Sequence, residues 1–570
     1  MDLYKTRIAL NLKSMVLLLV LTFFLQEGYA QLTPAQNQEI DAIFNKWNTP
    51  NHPGGAIGIM KDGKLVFSKA YGLASLEYLA PNTPGTLFNV ASVSKQFTAM
   101  GIVLLHLQGK LSIDDKLKKY VPELPEYAEK ITIRHMLHHT SGLRSLHTLL
   151  ALAGWREDDT RTNEDLYRIM KDQRYLNFEP GSEYMYCNTS FMFMAKIIEE
   201  ICGENFSQWM KKSIFEPLEM NHTYIEDKYN RVVPNNATSY YTTTNSFDRA
   251  IEFWDYVGSG NMHSTTSDLL IWLENFSTPK SQWKEAFKMM LTLDPFNDGT
   301  YNDYAFGVRV DSLKGVKRIQ HGGSIGGFRS FIGTFPDEKL SIVINTNFST
   351  ASPGSKANKI AEILLNNTLE TPPTTISNKQ NAVKLTKKMM HKYVGKYWDD
   401  THNVLREIDI QNDSLQFIRS NNNKVALIPL KGHTFQLKNT ASKIKFELHK
   451  KNSNTLKVYD LNSSIPKANY NQFTNLPKSY LQKQMGDYKG EYFSPELKTS
   501  YFISTDGERL IAEHIRHGQF DLEMIKKDIF KGNNAFAYVK FQRNKKGDVT
   551  GILVSNSRVR NLWFEKRNLL

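Results

Sequence analysis

Ser92 is followed three residues later by Lys95 in the run Ser92-Val93-Ser94-Lys95. A serine hydroxyl attacks a carbonyl only when a neighbouring base takes its proton, and an amine is a base only when neutral. If Ser92 opens a helix, Lys95 lies on the same face one turn on, within reach of the hydroxyl. The hydroxyl then also sits at the positive end of the helix dipole. Lowering a lysine pKa from about 10.4 to about 7 or 8 costs roughly 3 to 5 kcal/mol, which burial and a second cation or a hydrogen-bond network must supply. The same spacing recurs at Ser281 and Lys284, Ser442 and Lys445, and Ser464 and Lys467. Ser92 differs in its setting. An extended run, Phe88-Asn89-Val90-Ala91, precedes it, and a strongly apolar helical pattern follows through Phe97, Met100, Val103, Leu104 and Leu107, stopping at Gly109.

Two further motifs carry polar groups suited to the same chemistry. Tyr186-Cys187-Asn188 follows a turn at Pro180-Gly181 and precedes a helical pattern. Tyr186 could protonate a leaving group, or share the base role as a phenolate beside a charged Lys95. Asn188 could bond Lys95 and substrate, or serve only as a helix cap. His321-Gly322-Gly323-Ser324 stands at the end of a strand pattern. Its glycines allow a substrate backbone to approach closely. The Ser324 N–H, with that of Ser92, could form an oxyanion hole worth about 3 to 4 kcal/mol; the alternative is a plain turn between strands. Arg329 could clamp a carboxylate or simply sit on a solvated rim. His135, His138 and His139 have helical spacing, but no carboxylate or cysteine cluster completes a zinc site, so no metal is expected.

The elements that position these groups follow from periodicity. A short helix (Ile40, Ile43, Phe44, Trp47) precedes a hairpin of Ala56 to Met60 and Leu65 to Ala70 around Asp62-Gly63. Helices and loops fill the chain to about residue 290. Strands return at Gly307 to Val310, Val316 to Gln320, Phe328 to Phe335 and Leu340 to Asn345, and a helix closes the unit over Lys356 to Leu365. This is an α+β domain whose antiparallel sheet joins both ends of the chain segment 31–366. Residues 367–383, rich in Thr, Pro, Asn and Ser, read as a linker. Short alternating runs then repeat. Tyr393-Val-Gly395-Lys-Tyr397 matches Tyr488-Lys-Gly490-Glu-Tyr492, which indicates two tandem β-modules, 384–475 and 476–570, with closed antiparallel barrels as the expected form.

The order Ser-x-x-Lys, Tyr-x-Asn, His-Gly-Gly is where the chain resembles the class C β-lactamase and D,D-peptidase family of penicillin-recognising serine enzymes. The resemblance spans roughly residues 35–366. It includes Thr132-Ile-Arg-His135-Met-Leu-His138-His139-Thr-Ser-Gly142-Leu143, Gly323-Ser-Ile-Gly-Gly327-Phe328 and Phe335-Pro-Asp-Glu-Lys339. It implies a β-lactamase/transpeptidase-like catalytic domain, a Ser92 acyl-enzyme, acid and base work shared by Lys95 and Tyr186, and substrate or oxyanion contacts from Asn188, His321, Gly323 and Ser324. It implies no cofactor. The family's β-lactamases usually carry Lys-Thr-Gly where this chain has His321-Gly322-Gly323, and the His form resembles D-aminopeptidases, some D,D-peptidases and esterases. A neutral histidine holds a carboxylate less strongly than a fixed cation, so peptide or ester cleavage is expected ahead of β-lactam hydrolysis. A weak β-lactamase, or a sensor that acylates without turnover, is the alternative. Related hydrolases carry C-terminal lipocalin-like barrels, so a barrel loop is expected to reach the cleft and limit substrate size.

Composition sets the compartment and the partners. Lys5, Arg7 and Lys13 precede an apolar run from Met15 to Leu25 and a Gly28-Tyr29-Ala30 cleavage site, so residues 1–30 read as a secretory signal and the product as periplasmic or secreted. The two cysteines, Cys187 and Cys202, bracket a helical pattern that holds them roughly 20 Å apart, too far for a disulfide. A net charge of +13 suits a solvated basic surface with weak attraction to an anionic envelope. Small peptides, esters or peptidoglycan fragments are the expected partners, and nucleic acid is not.

Overall fold

The computed structural model describes residues 32–366, 368, 383–420, 423–438, 442–449, 453–459, 468–474, 484–533 and 535–567. The signal segment 1–30 and nearly all of the linker 367–383 lie outside the described residues, as does the Ser464 to Lys467 pair.

Six antiparallel strands form the central sheet. Their spatial order is Arg309–Leu313, Val316–Ile325, Phe328–Phe335, Leu340–Thr346, Gly55–Lys61, Lys64–Tyr71. The N-terminal hairpin therefore completes a sheet begun by the C-terminal strands, with Ile57 opposite Ile344 and Ile59 opposite Ile342. The Leu340–Thr346 strand is buried along its whole length because helices cover both faces. Alternation sorts its side chains. Ile342 and Ile344 join Ile57, Ile59, Ile40, Phe44 and Ile360 under the terminal helices Pro34–Phe44 and Pro353–Leu364. Val343 and Ala56 face the other way, into the large core shared with the helices Ser94–Leu107, Asn188–Cys202 and Thr266–Glu274. Among the described residues no helix is long and apolar enough to cross a membrane.

Two closed eight-stranded barrels follow. The first closes Gly395–Asp399 against Ala468–Phe473, the second Gly490–Ser494 against Leu562–Arg567. The sequence repeat is a repeated structural device. Tyr397 donates its hydroxyl to the Tyr393 carbonyl at 2.7 Å, and Tyr492 does the same to Tyr488 at 2.7 Å. Aromatic and aliphatic side chains fill both interiors. The second barrel shares one continuous apolar core with the α+β domain. The first has its own, and meets the second through Trp398 against Ile525 and Ile529. Cys187 and Cys202, at the two ends of one fifteen-residue helix, are both free thiols.

Candidate active site

Ser92 lies in a tight 3-10 turn, Ala91–Val93, and the α-helix proper starts at Ser94 rather than at Ser92. The turn arises because Ala91 adopts a left-handed conformation, φ 52°, a strained state for a residue with a Cβ. Side chains hold it there. The Ala91 N–H donates to Asn89 Oδ1 at 2.9 Å, and Ser94 Oγ donates to the Ala91 carbonyl at 2.5 Å. The result presents the Ser92 hydroxyl at the mouth of a cavity of about 320 Å³ that Asn188 and Ser324 also line.

Lys95 is fully buried beneath Ser92. Its Nζ donates to Ser92 Oγ at 3.2 Å and to the Ser259 carbonyl at 2.6 Å. It stands 4.9 Å from the centroid of the Tyr186 ring and 5.6 Å from that of Phe191. Burial, with a further push from the Arg558 charge, holds its pKa well below the usual lysine value. Burial moves Tyr186 the opposite way, raising its phenol, while the nearby Ser92 hydroxyl favours the ionised form to a lesser degree. Its hydroxyl is buried with no hydrogen-bond partner of good geometry. Burial therefore disfavours the charged form of both the amine and the phenol beside Ser92.

Asn188 is the first residue of its helix, and Cys187 occupies the capping position. Its Oδ1 is buried without a partner, so the amide is free for other work in the cavity.

The His321-Gly322-Gly323-Ser324 run lies inside the ten-residue strand Val316–Ile325, and the turn comes after it at Gly326-Gly327. Ser324 is exposed on the cavity side. His321 stands behind Tyr186, ring centroids 6.1 Å apart. Its Nδ1 contacts the Gly322 carbonyl at 2.6 Å and its Nε2 the Tyr304 hydroxyl at 2.9 Å. A carbonyl only accepts, so Nδ1 carries the hydrogen and Nε2 accepts from Tyr304. Burial lowers its pKa to about 3, so the ring is neutral and both nitrogens are spent on the chain itself. A Cβ on Gly323 would stand 2.2 Å from the Val90 carbonyl oxygen, so the chain's own backbone, two residues before Ser92, packs closely against it.

The three helical histidines are occupied elsewhere. His135 completes the cap of its own helix with Thr132. His138 bridges the Tyr304 carbonyl and the Asp294 carboxylate. His139 Nδ1 accepts the Cys187 N–H at 3.0 Å. Sequence reasoning passed over Ser259, Tyr304 and Arg558. Ser259 stands in Gly258-Ser-Gly260, a flexible-backbone signal that could have marked it. Tyr304 had none. Arg558 belongs to the second barrel, yet its guanidinium lies 5.3 Å from the Tyr186 ring centroid and lines the cavity. A barrel loop does reach the cleft. Ser145 N–H and Asn177 Nδ2 fix it by donating to the Arg558 carbonyl at 3.3 and 3.1 Å.

The profile of the Beta-lactamase family matches residues 40–365. The chain is 27% identical over 313 residues to a D-aminopeptidase of Gluconobacter oxydans, a match covering 55% of this chain and 59% of that protein. It is 25% identical over 452 residues to a penicillin-binding protein of Bacillus subtilis, covering 75% of this chain and 97% of the relative. The chain thus spans less than two thirds of the length of the first D-aminopeptidases it resembles. An octameric penicillin-binding protein homologue from Pyrococcus abyssi has the same fold, with TM-score 0.52 at 23% identity over 77% of this chain and 99% of that one.

Proposed function

The chain belongs to the beta-lactamase family, and from that premise we propose that it is an exported serine hydrolase cleaving amide or ester bonds of D-amino-acid peptides or small esters through a Ser92 acyl-enzyme. The observation that carries this is the 3.2 Å contact between Lys95 Nζ and Ser92 Oγ, with the amine fully buried. Ser92 Oγ attacks the carbonyl carbon while its proton passes to neutral Lys95. The developing oxyanion is met by the main-chain N–H groups of Ser92 and Ser324. As the C–N or C–O bond breaks, the Tyr186 hydroxyl gives its proton to the leaving group and is restored by the proton on Lys95. Water then enters by the same route in reverse and releases the acyl group, regenerating Ser92.

The similarity to D-aminopeptidases supports the peptide branch of this reading. The neutral His321 supports it too, since it stands where the family's β-lactamases usually carry a lysine, and no fixed cation occupies that one position. Arg558 narrows the cavity from the barrel side and limits the size of the group that enters.

Wild type and Ser92→Ala are to be compared on a nitrophenyl ester, a D-alanine amide and a fluorescent penicillin. Wild type turns over the ester or the amide, and the variant turns over neither. Turnover surviving in Ser92→Ala sinks the mechanism. Penicillin labelling of wild type without turnover of any substrate replaces the hydrolase with a sensor.

A further inference from the structure

The cavity beside Ser92 carries an unusual charge arrangement. Three arginines line it, Arg161, Arg329 and Arg558, against one carboxylate, Glu157. They come from three separate parts of the fold: a loop before the helix Asn163–Lys171, the strand Phe328–Phe335, and the second barrel. Each spends its contacts on main-chain carbonyls or aromatic faces. Arg161 is 4% exposed, donates Nη2 to the Arg156 carbonyl at 2.8 Å and lies 5.0 Å from the Trp254 ring centroid. Its Nε is buried with no partner. Arg329 donates Nη1 to the carbonyls of Gly326 and Phe328 at 2.8 and 2.7 Å. Arg558 lies over Tyr186.

The other titratable groups of the cavity do not cancel this charge. His147 is held neutral, its pKa lowered to about 3 by burial. Behind Gly326, the half-buried Glu252 accepts a hydrogen bond from Ser239 at 2.9 Å, and desolvation of the carboxyl raises it to about 7, so at neutral pH it is only partly ionised. Gathering like charges round a half-enclosed space, one with an unmet N–H, costs free energy that an anion in that space recovers. Guanidiniums recognise carboxylates through paired, charge-assisted hydrogen bonds. A cavity of about 320 Å³ is at the small end of ligand sites, which run roughly 300 to 1,000 Å³, and suits a group of dipeptide size.

We propose that Arg161, Arg329 and Arg558 form a carboxylate subsite, so that the preferred substrate is an amide or ester bearing a free carboxylate close to the bond Ser92 attacks. This rests on the Ser92 acylation proposed above. The anion is read across the cavity from His321, by residues the strand motif does not include.

Two isosteric substrate pairs separate charge from shape, and also separate the two places a carboxylate can sit. D-glutamyl and D-glutaminyl 4-nitroanilide differ only in a charge on the acyl side. D-alanyl-D-alanine and its C-terminal amide differ only in a charge on the leaving side. In one pair the acidic member is preferred by at least about tenfold in kcat/KM, equivalent to about 1.4 kcal/mol, and the preferred pair identifies the side. In Arg329→Gln and Arg558→Gln that ratio falls towards one. A second measurement needs no turnover. Glutarate raises the melting temperature of Ser92→Ala protein where the uncharged glutaramide does not, and the shift disappears when Arg329→Gln is added. Neutral members equal or superior in both pairs, together with no glutarate shift, overturn the subsite. A glutarate shift in protein that shows no Ser92-dependent turnover upholds the subsite and removes the hydrolase reading instead.

Discussion

Arg144 of the catalytic domain and Glu496 of the second barrel form an ion pair, Nη1 to Oε2 at 2.7 Å, with 1% and 2% of their side chains exposed. The same guanidinium donates to Gln173 Oε1 at 3.0 Å and to the Arg560 carbonyl at 3.1 Å. Glu496 Oε2 also accepts the Arg174 N–H at 3.0 Å. Through the Arg560 carbonyl the Arg144 guanidinium grips the barrel two residues from Arg558, and so connects domain docking to the shape of the cavity. Breaking one partner of a buried pair strands the other charge, which typically costs about 3 to 5 kcal/mol. Glu496→Gln is therefore expected to lower unfolding stability by that amount in denaturant titration. Arg144→Met with Glu496→Leu recovers most of it, because no charge is left without its partner. Equal stability of Glu496→Gln and wild type would show that the barrel docks without this contact.

Lys95 trades stability for reactivity. Its folded pKa lies well below its unfolded value through burial. Between those two pKa values the unfolded chain binds a proton that the folded chain does not, so folding becomes less favourable as pH falls. Lys95→Met removes the penalty. The variant is expected to melt several degrees above wild type at pH 7, with the gap closing as pH rises towards about 10.4. Its activity falls at least about a thousandfold, within the range for a lost base. Calorimetry across pH, read beside kcat, checks both halves; a variant less stable than wild type at pH 7 contradicts the assignment of a neutral amine.

Local chemistry was legible in the sequence, and chemistry assembled by docking was not. The Ser92 to Lys95 contact spans three residues, and the Tyr393/Tyr397 and Tyr488/Tyr492 repeat spans four, so both could be read from spacing. The hairpins of the sheet announced themselves by alternation and turn residues. By contrast Arg558 meets Tyr186 only because a barrel more than three hundred residues away in sequence packs against the catalytic domain. Nothing near position 558 encodes that. The surroundings of the His321-Gly-Gly run were hidden for a different reason. Adjacent glycines signal a turn or a close approach, and the sequence cannot say whose backbone approaches. Here the strand continues through them, and the partner is Val90.

His402 of the first barrel joins three bodies. Its Nδ1 meets Asp399 Oδ2 at 2.5 Å and its Nε2 lies 3.5 Å from Glu183 Oε2, while Glu183 also holds Arg560 of the second barrel at 2.9 Å. Hydrogen bonds to Asp399 and Glu183 raise the imidazole pKa to about 9. A raised pKa contributes stability that is complete below the unfolded value of about 6.5 and is lost as pH climbs through about 9. His402→Ala should therefore be less stable than wild type by roughly 3 kcal/mol at pH 6, at 1.36 kcal/mol per pKa unit. The difference should narrow steadily above pH 7 and be mostly gone by about pH 10. Urea midpoints at several pH values test this, and a pH-independent difference would assign His402 a packing role alone.

Gly322 and Gly323 are adjacent, yet they should respond oppositely to a methyl group. A Cβ on Gly323 would fall 2.2 Å from the Val90 carbonyl oxygen and 2.2 Å from Ser330 Oγ. Those two atoms are themselves hydrogen-bonded at 2.8 Å, and Val90 N–H donates to Met262. Neither neighbour can retreat without moving the strained Ala91 turn that carries Ser92. Misplacing a nucleophile by about 1 Å costs on the order of a hundredfold in rate. Gly323→Ala is thus expected to lose about that much in kcat with a small change in KM, since substrate contacts on the cavity side persist. Truncating Ser330 as well removes one clash and leaves the carbonyl, so the double variant recovers only part of the rate. On Gly322 the nearest atom is the Ser330 carbonyl oxygen at 3.7 Å, an ordinary contact. Gly322→Ala should keep its activity within about threefold, a difference of less than 1 kcal/mol. If both single variants lose the same activity, the glycines serve an incoming substrate backbone after all, and the Val90 contact is incidental.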